Sequence, residues 1–206
     1  MTLNTTPEGG RGASVRLANP EDAGPIRIIY ESVVAQTAIS FETHPPGVEE
    51  MRQRIEKILE KYPWLVCERG GEVLGYAYAS QHRGRSAYQW SVDVSVYVHP
   101  DARRGGVGRA LYRSLFEVLR RQGFYHALAG IALPNPGSVG LHESLGFQPV
   151  GVYRAVGYKL GAWHDVGWWH LVLQPPPPLP APPVGLPDLI GKPVWDEALA
   201  AGRPSL

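Results

Sequence analysis

A glycine-rich turn joins a predicted strand to a predicted helix and carries residues suited to binding an anion. Glycine leaves no Cβ between the backbone and a ligand, so main-chain groups can approach it closely. The first N–H groups of the following helix lack partners within the helix, and the helix dipole favours negative charge there. Arginines on both sides of the turn add permanent positive charge. The residues concerned are Arg103, Arg104, Gly105, Gly106, Val107, Gly108 and Arg109.

This spacing predicts a site for a diphosphate, and two other phosphate-binding loops do not fit it. The P-loop requires a lysine after its second glycine, and the dinucleotide-binding loop requires a third glycine; neither is present here. An ordinary strand-to-helix turn, in which glycine serves only close packing, is the alternative interpretation.

The elements that must position this turn follow from hydrophobic spacing. Apolar residues three and four apart after Pro46 predict an amphipathic helix, and strand-like runs around Gly70 and Gly71 predict a hairpin. We predict strands at 15–17, 64–69, 72–80, 88–99, 126–133, 147–158 and 166–173, and helices from the Asn19 cap to about 34, after Pro46, at about 106–122 and at 136–145. This order predicts an α/β (α+β) fold with a mixed sheet covered on both faces.

Composition limits the function classes. A chain of 206 residues with 44% hydrophobic content favours one domain, and a net charge of +1 gives no reason to expect a nucleic acid or membrane partner. No stretch approaches the roughly 20 apolar residues of a membrane span, and no signal-peptide core is present. The single Cys67 is expected to be a buried hydrophobe, and no metal-ligand spacing occurs. We therefore expect a cytoplasmic protein without a metal.

The two ends of the chain differ from its middle. Residues 1–13 are small, polar and rich in glycine, which predicts a flexible N-terminus, and the domain is expected to cover residues 14–174. The last 33 residues contain ten of the twenty prolines, so residues 175–206 are expected to form an extension outside the core. Ile190, Val194 and Trp195 are candidate anchors on the body or on a second subunit.

Residues 103–108 fit the pattern Arg/Gln-x-x-Gly-x-Gly/Ala, and this turn resembles the acyl-CoA site of the GNAT superfamily of N-acetyltransferases. The resemblance spans about residues 14–174 and is most specific at 87–90, 133–147 and 161–169, which are similar to the phosphinothricin acetyltransferase branch. This branch includes enzymes that act on methionine sulfoximine and methionine sulfone. The resemblance implies the GNAT fold, with a mixed, mostly antiparallel central sheet and helices on both faces.

The resemblance also implies an activity. Acetyl-CoA, as co-substrate, is expected to acetylate the α-amine of a small amino-acid analogue by direct transfer in a ternary complex. Two alternatives remain open at this point, an acceptor amine on a peptide or protein and a non-catalytic module that binds acetyl-CoA. A homodimer is expected from the resemblance alone.

Two side chains are the candidate catalytic residues. Asp93 shares one face of its strand with Ser91 and Ser95, and the resemblance places it where the branch usually carries a catalytic glutamate. A carboxylate within one water of an ammonium group can take its proton. His142 lies where many superfamily members place a tyrosine that protonates the departing sulfur, and imidazole titrates near neutral pH. The alternatives are a solvated carboxylate for Asp93 and a capping or packing role for His142.

The resemblance implies further contacts with both substrates. A splayed strand would offer main-chain groups of Val96, Tyr97 and Val98 to pantetheine, with the N–H of Val98 as the candidate oxyanion donor. Asn135 would bond the pantetheine amide, or else serve only as a turn residue.

Candidate acceptor contacts lie in two loops and at the start of a strand. The candidates are Arg83 and Arg85 for a carboxylate, and Phe41 and Trp90 as pocket walls. Each could instead be a solvated loop charge or a core residue. Glu42 stands where the phosphinothricin-specific enzymes commonly have arginine, and it is expected to repel a phosphinate.

Overall fold

The computed structural model describes residues 12–206. Nearly all of the predicted flexible N-terminus, residues 1–13, lies outside the described residues. Seven strands form one sheet in the order β1-β2-β3-β4-β5-β7-β6. They are β1 Ser14–Leu17, β2 Trp64–Arg69, β3 Glu72–Gln81, β4 Ser91–Val98, β5 His126–Leu133, β6 Gln148–Lys159 and β7 Ala162–Val172.

All neighbouring strands are antiparallel except β4 and β5, which run parallel. The predicted mixed, mostly antiparallel sheet is therefore confirmed. Two predicted boundaries are wrong. β4 begins at Ser91 because a short 3-10 turn at Ser86–Tyr88 precedes it, and β7 begins at Ala162 because Gly161, at φ 79°, completes a tight turn from β6.

Five α-helices accompany the sheet within residues 12–206. They are α1 Ala23–Gln36, α2 Val48–Leu59, α3 Val107–Gln122, α4 Pro136–Ser144 and α5 Pro193–Ala200. α3 is bounded by Gly106 and Gly123, whose φ angles of 82° and 90° lie in the left-handed region that favours glycine.

The sheet has a core on each face. α3 buries Leu111, Leu115 and Leu119 against one face, and α1 and α2 bury Ile26 and Ile55 against the other. Because side chains alternate along a strand, β3 and β4 contribute to both cores and present different residues to each. The face that carries α1 and α2 receives Asp93 and its neighbours.

The C-terminal segment packs on the body instead of lying outside the core. Leu186, Leu189, Trp195 and Ala198 are buried in a cluster with Val118 of α3. Of the candidate anchors, Trp195 is buried, whereas Ile190 is exposed. The chain then runs along α3 toward its N-terminus, where the carbonyl of Ser205 lies against Gly106 so closely that a Cβ there would collide with it.

Candidate active site

A gap between β4 and β5 forms the centre of the candidate site. The two strands pair only from Ser91 opposite His126 to Asp93 opposite Leu128, although both strands continue beyond this point. We call the unpaired region beyond Asp93 the wedge. A small cavity of about 50 Å³ lies there. Its lining brings together four residues predicted from the sequence, Val96, Tyr97, Asn135 and His142.

Main-chain groups of alternate β4 residues face the wedge. His99, which directly follows β4, donates its N–H to Leu74 O of β3 at 2.8 Å. In an antiparallel ladder every second residue bonds to the same neighbouring strand, so the odd-numbered residues of β4 bond with β3. The N–H groups of Val96 and Val98 therefore point away from β3, toward β5. The main chain of Tyr97 faces β3, so the expectation that it is available to a ligand is wrong.

The glycine turn lies at the end of the wedge. The backbone is left-handed at Arg104 and Gly106, with φ of 63° and 82°, and α3 begins at Val107 without a side-chain cap. Free N–H groups at the start of a helix suit an anion, so the turn fits a diphosphate. Gly108 also serves packing, because a Cβ there would lie 3.2 Å from Leu141.

The three predicted arginines differ in their surroundings. Arg103 and Arg104 are exposed and form no ion pair with any residue in 12–206. Arg109 Nη2 donates to Ser144 Oγ at 2.9 Å, which ties the start of α3 to the end of α4. Two unpaired cations thus stand beside the turn, where a diphosphate would be held.

Asp93 is paired with a histidine that the sequence reasoning did not identify. His82 Nδ1 lies 2.7 Å from Asp93 Oδ1, and the imidazole packs edge-on against Tyr88 and Trp168, with ring centroids 5.9 and 6.2 Å away. Burial raises the pKa of Asp93 above its ordinary value of 3.8, while the bond from His82 and the charge of Arg83 act in the opposite direction. Asp93 can therefore accept a proton at a higher pH than an isolated aspartate.

His142 is buried at the side of the wedge with both ring nitrogens engaged. Nδ1 donates to Ser138 O at 2.8 Å, and Nε2 accepts from Tyr112 Oη at 2.9 Å. Burial lowers the pKa of His142, so the neutral imidazole is favoured at neutral pH. The sequence reasoning did not identify Tyr112, whose hydroxyl is the partner of His142.

The carbonyl end of the Asn135 side-chain amide already forms a hydrogen bond. Its Oδ1 caps α4 by accepting from Ser138 N at 3.1 Å, which leaves the Nδ2 donors directed elsewhere. The structure shows the capping role of Asn135, and its predicted contact with pantetheine, for which the amide N–H groups are the available donors, stays a prediction.

The predicted acceptor residues Arg83, Arg85 and Trp90 lie in different surroundings. Arg83 lies near Asp93, since its charge lowers the pKa of that carboxyl, and Arg85 is exposed. Trp90 does not line the wedge cavity, and its Nε1 donates to Ala181 O at 2.8 Å, which ties the residue before β4 to the C-terminal segment. Its predicted role as a pocket wall stays a prediction.

The loop between α1 and α2 is fastened to the β6–β7 hairpin. Phe41 packs so closely on Gly157 of β6 that a Cβ there would collide with its ring. The ammonium of Lys159 donates to Val34 O and Ser40 O, both at 2.6 Å. These contacts hold Phe41 and the following Glu42 beside the site.

Glu42 is neutralised by a cation that the sequence reasoning did not identify. Arg54 of α2 donates to both carboxylate oxygens, at 2.8 and 3.1 Å, and Tyr30 donates at 2.9 Å. Burial acts to raise the pKa of Glu42, but these hydrogen bonds outweigh it and the pKa is lowered. The ion pair weakens the expected repulsion of a phosphinate by Glu42, although Arg54 is shared with Glu50.

Within residues 12–206 no cluster of three metal-ligating side chains occurs. None of the helices described in that range is long and apolar enough to cross a membrane.

Comparison with known proteins gives a consistent result. The family profile described as the acetyltransferase (GNAT) domain matches residues 15–168. A phosphinothricin N-acetyltransferase of Streptomyces viridochromogenes is 40% identical over 175 residues, which cover 84% of this chain and 96% of that protein. An L-methionine sulfoximine/L-methionine sulfone acetyltransferase of Salmonella typhimurium is 35% identical and covers 78% of this chain and 95% of its own.

A solved structure shows the same fold. The phosphinothricin acetyltransferase of Sinorhizobium meliloti, determined in complex with AcCoA, is 34% identical and superposes with a TM-score of 0.78. The match covers 84% of this chain and 98% of that one.

Proposed function

Because the chain belongs to the GNAT acetyltransferase family, we propose that it transfers the acetyl group of acetyl-CoA to the α-amine of a small amino-acid analogue. The acceptor class is that of phosphinothricin, methionine sulfoximine and methionine sulfone, on which the relatives named above act. The single observation that carries this proposal is the wedge, which has the Asp93–His82 pair at its closed end and the glycine turn at its open end.

Residues along the wedge are proposed to hold acetyl-CoA. Arg103, Arg104 and the N–H groups that begin α3 would bind the diphosphate, and the Nδ2 group of Asn135 would bond a pantetheine carbonyl. The N–H of Val98 is our candidate for the tetrahedral oxyanion. The loss of one such donor typically costs about 2.7 to 4 kcal/mol of transition-state stabilisation. Acetyl-CoA supplies the thioester, and the chain's residues orient it.

Asp93 and His82 are proposed to deprotonate the acceptor. An α-ammonium group must lose a proton before its nitrogen can attack the thioester carbon, and the pair would take that proton directly or through one water. The nitrogen then forms the new C–N bond and releases a second proton to solvent, and collapse of the tetrahedral intermediate breaks the C–S bond to release the thiolate. Cys67 is buried in the core, which supports direct transfer without an acyl-enzyme.

His142 stays the sequence-predicted candidate for protonating the sulfur, and its environment supports a different role. A neutral imidazole that donates to Ser138 O and accepts from Tyr112 carries no spare proton. We propose that His142 is a positioning residue that holds Tyr112 and the side of the wedge, with the thiolate protonated from solvent.

Arg83 is proposed to bind the acceptor carboxylate, with Arg85 as a second candidate in the same loop. Arg83 is exposed and directly follows His82, the partner of Asp93, and this supports the proposal because the carboxylate and the α-amine of an amino acid are separated by only one carbon. Exchange of Arg83 for alanine is expected to raise KM for amino acids, whereas a peptide amine acceptor would be little affected.

A homodimer is proposed on the exposed apolar side chains of the last two strands. Val150, Val156, Tyr158 and Trp163 are each more than half exposed and lie on the paired strands β6 and β7, and an exposed apolar patch of this kind often marks an interaction surface. The expected mass by light scattering is twice that of the chain, and a monomer that remains active would refute the proposed dimer.

The cytoplasmic location stays a prediction.

The proposal is tested by release of free CoA, measured with a thiol reagent. Acceptors are phosphinothricin, methionine sulfoximine, methionine sulfone, ordinary amino acids, polyamines and a peptide. We expect turnover with the sulfone, sulfoximine or phosphinate amino acids. Turnover with the peptide alone would favour the protein-acceptor alternative, and cofactor binding without any turnover would favour a non-catalytic module.

A further inference from the structure

The C-terminal segment follows one side of α3 along the whole length of the helix. We call residues 184–205 the strap; they include α5 and two short 3-10 turns, Leu186–Asp188 and Arg203–Ser205. The strap runs in the opposite direction to α3, from the last turn of the helix back to its first. It lies outside residues 15–168, which the family profile matches, so membership of the family does not explain it.

Every fourth residue of the helix, from its N-terminal cap onward, contacts the strap. At the end of α3, Val184 N donates to Gln122 O at 2.9 Å, and Gln122 Nε2 donates back to Val184 O at 3.0 Å. One turn earlier, Val118 lies in the buried cluster that contains Trp195 and Ala198. Residues four apart lie on one side of a helix, so these contacts belong to a single stripe.

The stripe continues toward the glycine turn through small residues. Ser114 is fully buried, and its Oγ donates to Leu199 O at 2.7 Å and accepts from Gly202 N at 3.1 Å. Gly202 then packs on α3 so closely that a Cβ on it would collide with the carbonyl of Ala110. The small side chains of this part of the stripe let the backbone of the strap lie directly on the helix.

The strap reaches the residue that gives the glycine turn its shape. The carbonyl of Ser205 occupies the space in which a side chain at position 106 would lie. Gly106 has a φ of 82°, and α3 begins after it without a side-chain cap. A turn that contains Gly105, Gly106 and Gly108 has many other conformations, because glycine is the least restricted residue. Contact with the strap limits this freedom, so less of it is lost when a ligand binds.

We propose that the strap is a positioning element of the acetyl-CoA site, which packs on Gly106 and holds the glycine turn in the conformation that binds the diphosphate. The inference rests on the proposed function, because it takes the turn as the diphosphate site. The strap acts through the turn and touches no reacting atom. It should therefore affect the affinity for the diphosphate part of acetyl-CoA and leave the chemistry at Asp93 unchanged.

Gly202→Ala is the variant that tests the strap. Gly202 has φ −80° and ψ −20°, which alanine also adopts, so the collision of the new Cβ with Ala110 and Ser114 is the only strain. This collision should lift the strap from the glycine turn. Gly185→Ala is the matched control, because it lies at the other end of the strap, has a φ of −65°, and would place a Cβ at ordinary contact distances.

Two acetyl donors separate positioning of the turn from a general loss of structure. S-Acetylpantetheine carries the same thioester and pantetheine arm as acetyl-CoA but has no diphosphate. We expect Gly202→Ala to raise the Kd of acetyl-CoA, measured by calorimetry, about fivefold or more, the cost of fixing the backbone of one residue on binding. With methionine sulfone as acceptor, kcat at saturating acetyl-CoA and kcat/KM for S-acetylpantetheine should be unchanged.

Hydrogen exchange measures the turn itself in the ligand-free protein. The amides of residues 103–109 should exchange faster in Gly202→Ala than in wild type, and at the wild-type rate in Gly185→Ala. Ser114→Ala removes both hydrogen bonds to the strap without adding an atom, and it should change affinity and exchange in the same direction. This variant keeps the proposal testable if Gly202→Ala does not fold.

The outcomes separate the two proposals. A loss of kcat, or equal losses with the two donors, would make the role of the strap structural and overturn the inference. Unchanged or tighter binding of acetyl-CoA by both variants would also overturn it and leave the proposed function standing. A folded wild-type protein that does not bind acetyl-CoA would overturn the proposed function. In that case faster exchange of the turn in both variants would support the hold of the strap on it, and exchange at the wild-type rate would overturn that as well.

Discussion

The role of Asp93 can be tested by its exchange for asparagine. Asparagine keeps the oxygen that accepts from His82 at 2.7 Å, so the geometry of the pair is retained while its negative charge is lost. General base catalysis typically contributes about 10²- to 10⁴-fold, and each tenfold corresponds to about 1.36 kcal/mol. We therefore expect Asp93→Asn to lower kcat/KM by at least about 100-fold at pH 7.

The pH dependence of this deficit is the stricter test. The α-ammonium group of a free amino acid has a pKa above the roughly 7.7 to 8.0 of a peptide N-terminus, because its own carboxylate stabilises the charge, so the acceptor is almost entirely protonated at pH 6 and far less so at pH 9. If Asp93 serves to remove that proton, the difference between wild type and variant should shrink by about tenfold or more from pH 6 to pH 9. The assay is CoA release from acetyl-CoA with methionine sulfone across this range.

A control and a stability measurement complete the test. Glu72→Gln removes an exposed carboxylate from the same sheet and should leave the profile unchanged. Because burial raises the pKa of Asp93, its stability contribution is greatest below pH 3.8 and is lost as pH rises through the raised value. Asp93→Asn should therefore melt at a higher temperature than wild type at pH 7.

A loss of kcat/KM in Asp93→Asn that does not change with pH would refute the base assignment.

Predictions for three further variants follow from named contacts. His142→Gln keeps hydrogen-bonding atoms but cannot become charged, so kcat at pH 7.5 should stay within about threefold of wild type, and a loss of about 100-fold or more would restore His142 as the acid. Trp195→Ala removes a side chain that is 8% exposed and should destabilise the fold by about 3 to 5 kcal/mol in denaturant titration; no change would mean that the C-terminal segment is not docked. Arg54→Ala leaves the Glu42 carboxylate without its cation and should reduce kcat/KM several-fold more for phosphinothricin, with its anionic phosphinate, than for methionine sulfone, whose side chain is uncharged. The pKa of Glu42 is lowered from 4.5, so the stabilisation that its ion pair gives is present at neutral pH and is lost only as pH falls below 4.5. Arg54→Ala should therefore melt at a lower temperature than wild type at pH 7 and approach the wild-type melting temperature in acid.

Local features of the site could be predicted from the sequence. The glycines and arginines around Gly106 act through conformational freedom and charge, which are properties of the residues themselves. Asp93 was recognisable because it interrupts an apolar strand whose residues alternate between faces. The order of strands and helices followed from hydrophobic spacing.

Features that depend on packing could not be predicted. His82 follows the end of β3 and meets Asp93 only through the register in which Gln81 lies opposite Val92. The pairing of Glu42 with Arg54 joins a loop to a helix, so Glu42 considered alone suggested repulsion. The C-terminal segment resembled an extended arm because of its prolines, whereas a few buried side chains, led by Trp195, decide where it docks.

Titration of the protein with acetyl-CoA by calorimetry tests the central claim most directly, because every step above requires the wedge and the glycine turn to hold this molecule. Saturable binding with one site per chain is predicted. It should weaken as salt rises and should weaken about tenfold or more when Arg103 and Arg104 are both exchanged for glutamine. The absence of saturable heat in a folded sample, or affinity unchanged by loss of both arginines, would contradict the account.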